Sequence, residues 1–159
     1  GGPQAGILAG GKEWIGRIRR NPLFRALRVD KLTYAALGAT LRDYLLGRHE
    51  RIPILAMLAQ TADQIRARAE AVAAGLEGLG AELAAGRSVI GGGSTPAMEL
   101  PTVLLTLRPA SVTAYERRLR QGRTPVIARV EDERLVVDLR TVLPEQEPVL
   151  TAMLRQAWE

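Results

Sequence analysis

Cysteine is absent from the 159 residues, which excludes disulfides, thiolate nucleophiles and cysteine-bound metals. Histidine occurs once, as His49, so a zinc site of the usual kind lacks its ligands. Aromatic residues are only 4% of the chain, too sparse for a platform on which nucleobases would stack. No run approaches the ~20 apolar residues needed to cross a bilayer. Lysine is nearly absent as well, with Lys12 and Lys31 alone. These gaps leave a cytoplasmic protein without metal or membrane span as the expectation.

What is present is the mixture of a globular protein, 47% apolar and 25% charged, in a chain long enough for a real core. The formal charge of +5 is carried almost wholly by arginine. It favours approach to a polyanion such as RNA, but the arginines are scattered and the charge alone diagnoses nothing.

Residues 21–31, Asn-Pro-Leu-Phe-Arg-Ala-Leu-Arg-Val-Asp-Lys, organise the reading. Pro22 can open a short helical turn. On that turn Arg25 and Arg28, three residues apart, share one face, and Phe24 and Leu27 share a neighbouring one. Two guanidiniums held together make a fork-shaped site for a phosphate-like anion. Two solvated surface arginines are the alternative, and spacing leaves both open. Asp30 is placed to cap the helix that follows.

Along the chain, residues 1–4 are turn chemistry and residues 5–9 are short and apolar enough for a buried strand, an expectation that this stretch continues a larger domain. Residues 12–20 predict an amphipathic helix with Trp14, Ile15 and Ile18 on one face. Residues 30–47 predict the best-patterned helix, with a broad apolar face and a stop at Gly47. His49 reads as a solvated loop residue, because no carboxylate or nucleophile is placed beside it. A short helix opened by Pro53 follows. Residues 61–85 predict one long alanine-rich helix, weakened by Gly75, Gly78 and Gly80.

The period then changes. Residues 87–90 predict a strand leading into Gly91-Gly92-Gly93-Ser94-Thr95-Pro96, whose glycines would let backbone N–H groups cradle an anion. A mobile or bulged connection explains them equally, and the Gly-Lys-Ser/Thr ending of a P-loop is missing. Strands at 102–107 and 125–130, a helix at 111–121 capped by Ser111, a hairpin turning at residues 131–133 into 135–139, and a closing helix at 144–158 complete the chain. The expected core includes Leu37, Leu41, Ile65, Val72, Leu104, Ile127 and Val137. The expected class is α+β, a small mixed or antiparallel sheet covered by helices.

Three stretches resemble one family: Gly1-Gly2-Pro3-Gln4-Ala5-Gly6-Ile7, then Pro22-Leu23-x-Arg25-Ala26-Leu27-Arg28-x-Asp30-Lys31, then Gly91-Gly92-Gly93-Ser94-x-Pro96-x-x-Glu99-Leu100-Pro101. Pro125-Val126-Ile127-x-Arg129-Val130 with Leu135-x-x-Asp138-Leu139-Arg140 is similar to its last hairpin. The family is bacterial selenocysteine synthase, L-seryl-tRNA(Sec) selenium transferase.

The resemblance implies the C-terminal part of a fold-type I pyridoxal-phosphate transferase. Residues 1–29 would close the large domain and its active-site segment, and residues 30–159 would form the C-terminal small domain. It implies conversion of seryl-tRNA(Sec) to selenocysteinyl-tRNA(Sec) with selenophosphate, in a homo-oligomeric parent. The Schiff-base lysine of the family precedes the Gly-Gly-Pro-Gln motif, and neither Lys12 nor Lys31 matches it. No catalytic residue is therefore expected in this chain, nor cofactor binding or activity by the chain alone. Arg25 and Arg28 match arginines that hold the selenium-donor anion. Arg129 and Arg140 would line the same cleft or be structural. Two other readings compete: a related pyridoxal-phosphate lyase acting on a sugar acid or amino acid, and a stand-alone basic module for RNA binding or assembly.

Overall fold

The computed structural model describes residues 1–91 and 95–158, with the side chains of residues 91–97 left out. The chain divides into two compact units, Gly1–Ala56 and Met57–Glu159.

The first unit is helical. Helix α1 spans Lys12–Arg20, α2 spans Pro22–Leu27 and α3 spans Lys31–Leu45. Each boundary has a local cause. Asn21 caps α2 by accepting a hydrogen bond from the Leu23 N–H at 3.0 Å, and Pro22 supplies the first helical residue. Asp30 caps α3 through the Thr33 N–H at 2.8 Å, a bond that also holds its carboxyl below the usual carboxylate range. Gly47 lies just past α3 with φ +66°, the left-handed stop a glycine supplies without strain. A 3-10 turn at His49–Arg51 follows, with His49 exposed.

Two expectations fail in this unit. Residues 5–9 form no strand, because no second strand pairs with them, and Ile7 and Leu8 are exposed. Helix α3 buries nothing: Leu37 is half-buried and Leu41 exposed. The boundary expected after Val29 concerns domains of the parent enzyme. Within this chain α3 goes with the segment before it, since Tyr34, Leu37 and Leu41 line a cavity together with residues of α1 and α2.

The second unit begins near the end of α4 (Pro53–Ala59) and holds α5 (Ala62–Ala74), β1 (Glu82–Gly91), β2 (Thr95–Leu107), α6 (Val112–Gln121), β3 (Arg129–Glu131), β4 (Arg134–Asp138) and α7 (Glu147–Trp158). The strands make one antiparallel sheet in the order β1-β2-β4-β3, the antiparallel form of the expected α+β class.

Thr61 and Gln64 form a reciprocal capping box that starts α5. The helix ends at Ala74, not in the eighties. Gly75 caps it, and Gly78 and Gly80 take φ +87° and +64°, which reverses the chain. The alanines expected to be helical at 84 and 85 pair instead with Leu104 and Val103. Tertiary pairing has overridden alanine's helix propensity.

On β2 the pleat sends Val103, Leu105 and Leu107 into the main core, where they meet Ile65, Ala69 and Val72 of α5 and Leu150 and Leu154 of α7. Leu104 is buried outside that cluster and packs over Gly86 of β1. Ile65, Val72, Leu104 and Val137 are buried as expected. Ile127 is 68% exposed. The strand there is only Arg129–Glu131, and the preceding residues alternate the other way, with Val126 and Ala128 inward. A one-residue slip in register turns every side chain over.

Candidate functional site

Arg25 sits in the last turn of α2, and Arg28 is its C-cap residue, leaving the helix with ψ 140°. The Arg28 backbone N–H still donates to the Phe24 carbonyl at 3.0 Å, so the turn fixes where its side chain starts. Both residues are exposed. Among the described residues neither guanidinium has a carboxylate or carbonyl partner, so their donors are available to an outside anion.

The two differ in one respect. Arg28 lines a cavity of about 1110 Å³ between α1, α2, α3 and the segment ahead of α1, and Arg25 does not. The cavity's other guanidinium is Arg17, whose Cζ lies 4.9 Å from the centroid of the Trp14 ring. Its remaining lining is mainly apolar and contains no carboxylate. Arg17 was not singled out from the sequence, although its place three residues after Trp14 on a helix was a usable signal.

Arg140 is in a different setting. It lies in a 3-10 turn, Leu139–Thr141, directly after β4, and is buried. Its Nε donates to Ser88 Oγ at 2.9 Å, one terminal nitrogen to the carbonyls of Met57 and Gln60 at 2.9 and 2.8 Å, and the other to Pro101 at 2.6 Å. Ser88 in turn donates to Asp138 Oδ2 at 2.5 Å, and Thr102 to Oδ1 at 2.9 Å. The Arg140 backbone N–H donates to the same Oδ1 at 3.0 Å. This network joins β1, β2 and β4 to the end of α4 and was not foreseen. The Asp138-x-Arg140 spacing was its only trace in the sequence.

Arg129, on β3, is exposed and pairs with Glu131 at 3.4 Å. Of the four arginines read as site candidates, only Arg25 and Arg28 are neighbours. The centre of the glycine-rich stretch, residues 92–94, lies outside the described residues. No group of His, Asp and Glu able to hold a metal ion occurs among the described residues, and no described helix is long and apolar enough to cross a membrane.

A pyridoxal-phosphate cofactor does not fit the residues present. Lys12 lines an open depression whose only large apolar side chain is Ile15, and Lys31 is exposed and is not among the residues that line the apolar cavity of the first unit. Neither offers the enclosed, mostly apolar pocket that such a ring requires.

Comparison with known proteins decides the family. The family model described as L-seryl-tRNA selenium transferase matches residues 1–143. The chain belongs to this family. Curated proteins named L-seryl-tRNA(Sec) selenium transferase match it closely along its length. That of Nitratidesulfovibrio vulgaris is 46% identical over 167 residues, covering 99% of this chain and 35% of the relative. That of Alkaliphilus oremlandii is 42% identical over 158 residues, covering 94% and 34%. That of Aquifex aeolicus is 38% identical over 161 residues, covering 98% and 36%. The chain thus spans about a third of the length of these selenium transferases.

Proposed function

We propose that this chain is the C-terminal part of a pyridoxal-phosphate-dependent selenium transferase that converts seryl-tRNA(Sec) to selenocysteinyl-tRNA(Sec) with selenophosphate. Its carrying observation is the family match over residues 1–143, reinforced by relatives of that name at about 40% identity. The same match favours this reading over a sugar-acid or amino-acid lyase and over a free-standing RNA-binding module.

In the parent, residues 1–29 would complete the large domain and its active-site segment, with residues 30–159 as the small domain. The cofactor, when bound to the parent, supplies the electron sink for replacing the seryl hydroxyl.

The role we assign to Arg25 and Arg28 is to hold the selenium donor's anion. Support comes from the absence of any internal partner for either guanidinium among the described residues, and from the lack of a carboxylate in the cavity that Arg28 lines. A guanidinium fork presents parallel N–H donors to phosphate oxygens, so it can bind and orient the donor without transferring a proton. For Arg140 we adopt the structural alternative, since its donors already serve the protein's own oxygens. For Arg129 too we adopt the structural alternative, since it pairs with Glu131 along its own strand. We further assign the parent a cytoplasmic location and a homo-oligomeric state, in keeping with the resemblance.

Incubation of the purified full-length parent with seryl-tRNA(Sec) and selenophosphate tests the reading. Selenium-dependent appearance of selenocysteinyl-tRNA(Sec) is the expected result. Turnover of a free sugar acid or amino acid with no change in the tRNA ester would overturn it.

A further inference from the structure

The arginines that look scattered along the sequence are unevenly spread over the second unit. Met57–Glu159 holds 12 basic and 13 acidic residues, yet Arg117, Arg118, Arg120 and Arg123 fall within seven consecutive residues that contain no acid. The rest of the unit is left with 8 basic and 13 acidic residues. A unit that is nearly neutral as a whole therefore carries one concentrated positive patch.

Helix α6 explains why all four arginines meet solvent. Tyr115 and Leu119, one turn apart, are buried and hold one face of the helix on the core. Arg117 and Arg120, three residues apart, fall on the opposite side, and all four arginines are exposed. Arg117 and Arg123 have no carboxylate or carbonyl partner among the described residues. Arg118 gives only its Nε, to the Ala157 carbonyl at 2.6 Å, so its terminal nitrogens stay available. Arg120 is shared with Glu116 through its Nε. At the end of the helix Arg118, Arg123, Thr124 and Gln156 border a small hollow of about 200 Å³ whose lining holds no carboxylate.

What this surface lacks narrows the partner. Among the described residues, no large apolar side chain between residues 99 and 126 is exposed. A protein partner needs an apolar centre to bury, and a single strand of nucleic acid needs aromatic rings to stack on. Tyr115, the one aromatic residue of α6, is buried. The phosphates of a double helix need only cations and polar donors.

We infer that Arg117, Arg118, Arg120 and Arg123, on α6 and the turn after it, form a docking surface for the phosphate backbone of an RNA double helix, in the parent a stem of its tRNA. The identity of that RNA rests on the proposed function; the surface itself rests on charge and exposure. Such contacts position an RNA without reading its sequence. Each guanidinium that meets a phosphate releases a counterion, so the affinity falls as salt rises.

Titration of the full-length parent with uncharged tRNA(Sec), and with a second, unrelated tRNA, at several salt concentrations tests this. Arg117→Gln combined with Arg123→Gln should weaken binding of both RNAs about tenfold or more at low salt. The slope of log affinity against log salt should fall by roughly 1 for each guanidinium removed. Lysine at the same two positions should keep the slope, which a merely structural role would not explain. Arg66→Gln, which removes an exposed charge lying between Asp63 and Glu70 on α5, should leave the slope unchanged. An unchanged slope in the double glutamine variant, or an equal fall for Arg66→Gln, would overturn the inference. A loss confined to tRNA(Sec) would mean base readout and overturn it as well. So would a lower molecular mass of the parent with tRNA affinity unchanged, which would put an acidic protein face on the patch. A parent that binds no tRNA would sink the inference and the proposed function together. The predicted salt response in a parent that transfers no selenium would sink the proposed function alone.

Discussion

Arg140 Nε donates to Ser88 Oγ at 2.9 Å across the width of β2, tying the turn after β4 to β1. The guanidinium also serves three main-chain carbonyls, and Ser88 passes the connection to the Asp138 carboxylate. A buried cation is tolerated when its nitrogens find acceptors, and each of the three guanidinium nitrogens of Arg140 does.

Arg140→Ala should therefore cost about 3–5 kcal/mol, because it leaves the Ser88 hydroxyl oxygen and three main-chain carbonyls without their donor. Arg140→Lys should recover part of that, an ammonium being unable to reach the same spread of acceptors. Denaturant unfolding of the 159-residue chain, followed by far-UV circular dichroism, checks both. Losses under 1 kcal/mol for the alanine variant would mean that the network contributes little.

Tyr115 gives a prediction in pH. It is buried, its hydroxyl donates to the Leu154 carbonyl at 2.7 Å, and Trp158 meets its ring edge-on at 5.4 Å. Burial pushes the phenol up to about 12, from an ordinary value of 10.0. In the unfolded chain the phenol ionises near its ordinary value, so between about pH 10 and pH 12 the folded state holds more protons. Stability from this group is complete below pH 10 and declines through that window. Tyr115→Phe should lose about 1 kcal/mol at neutral pH and show a shallower alkaline decline. Parallel melting curves across the alkaline range would read both effects.

Much of the helical pattern was legible in the sequence because local chemistry and tertiary need agree there. Asn21, Asp30, Thr61 and Ser111 each cap the helix they precede, and Leu150 and Leu154 point inward at helical spacing. Legibility ended where the two conflict. Ala84 and Ala85 have helical propensity but lie in a strand because β2 pairs with them. Ile127 faces outward because short strands flip on a single slip. Leu41 has the spacing of a core residue but is exposed, lining the cavity among α1, α2 and α3. For the candidate site, the Arg25 and Arg28 pair was legible as spacing. The Arg140 network was not, since it joins residues 50 positions apart and more.

Gly86 is required by packing and not by its backbone angles. A Cβ there would lie 2.6 Å from the Cγ of Leu104 on the paired strand, too close to be relieved by rotating a side-chain end. Gly86→Ala should destabilise by about 1–3 kcal/mol. Gly86→Ala combined with Leu104→Ala should be less destabilised than the sum of the two single changes, a coupling that a double-mutant cycle would read. Strict additivity would place the strain elsewhere.

The β3–β4 hairpin turns on Asp132 and Glu133, both left-handed at φ 48° and 56°. That geometry suits Asn-Gly far better than Asp-Glu. Asp132→Asn with Glu133→Gly should raise stability by about 1 kcal/mol, visible as a higher melting temperature. A lower melting temperature would show that the acidic side chains contribute contacts of their own.

On the proposed reading, Arg25 and Arg28 act on the selenium donor and not on loss of water from the seryl group. In the full-length parent, Arg25→Ala and Arg28→Ala should each slow selenium transfer by roughly one to two orders of magnitude, the value of about 1.5–3 kcal/mol for a charge-assisted contact to a desolvated anion. Lysine at either position should restore only part of the rate. Single-turnover measurement of the two half-reactions on seryl-tRNA(Sec) separates the possibilities most directly. The account predicts a slowed selenium step with loss of water nearly unchanged, and equal slowing of both steps, or of neither, would contradict it.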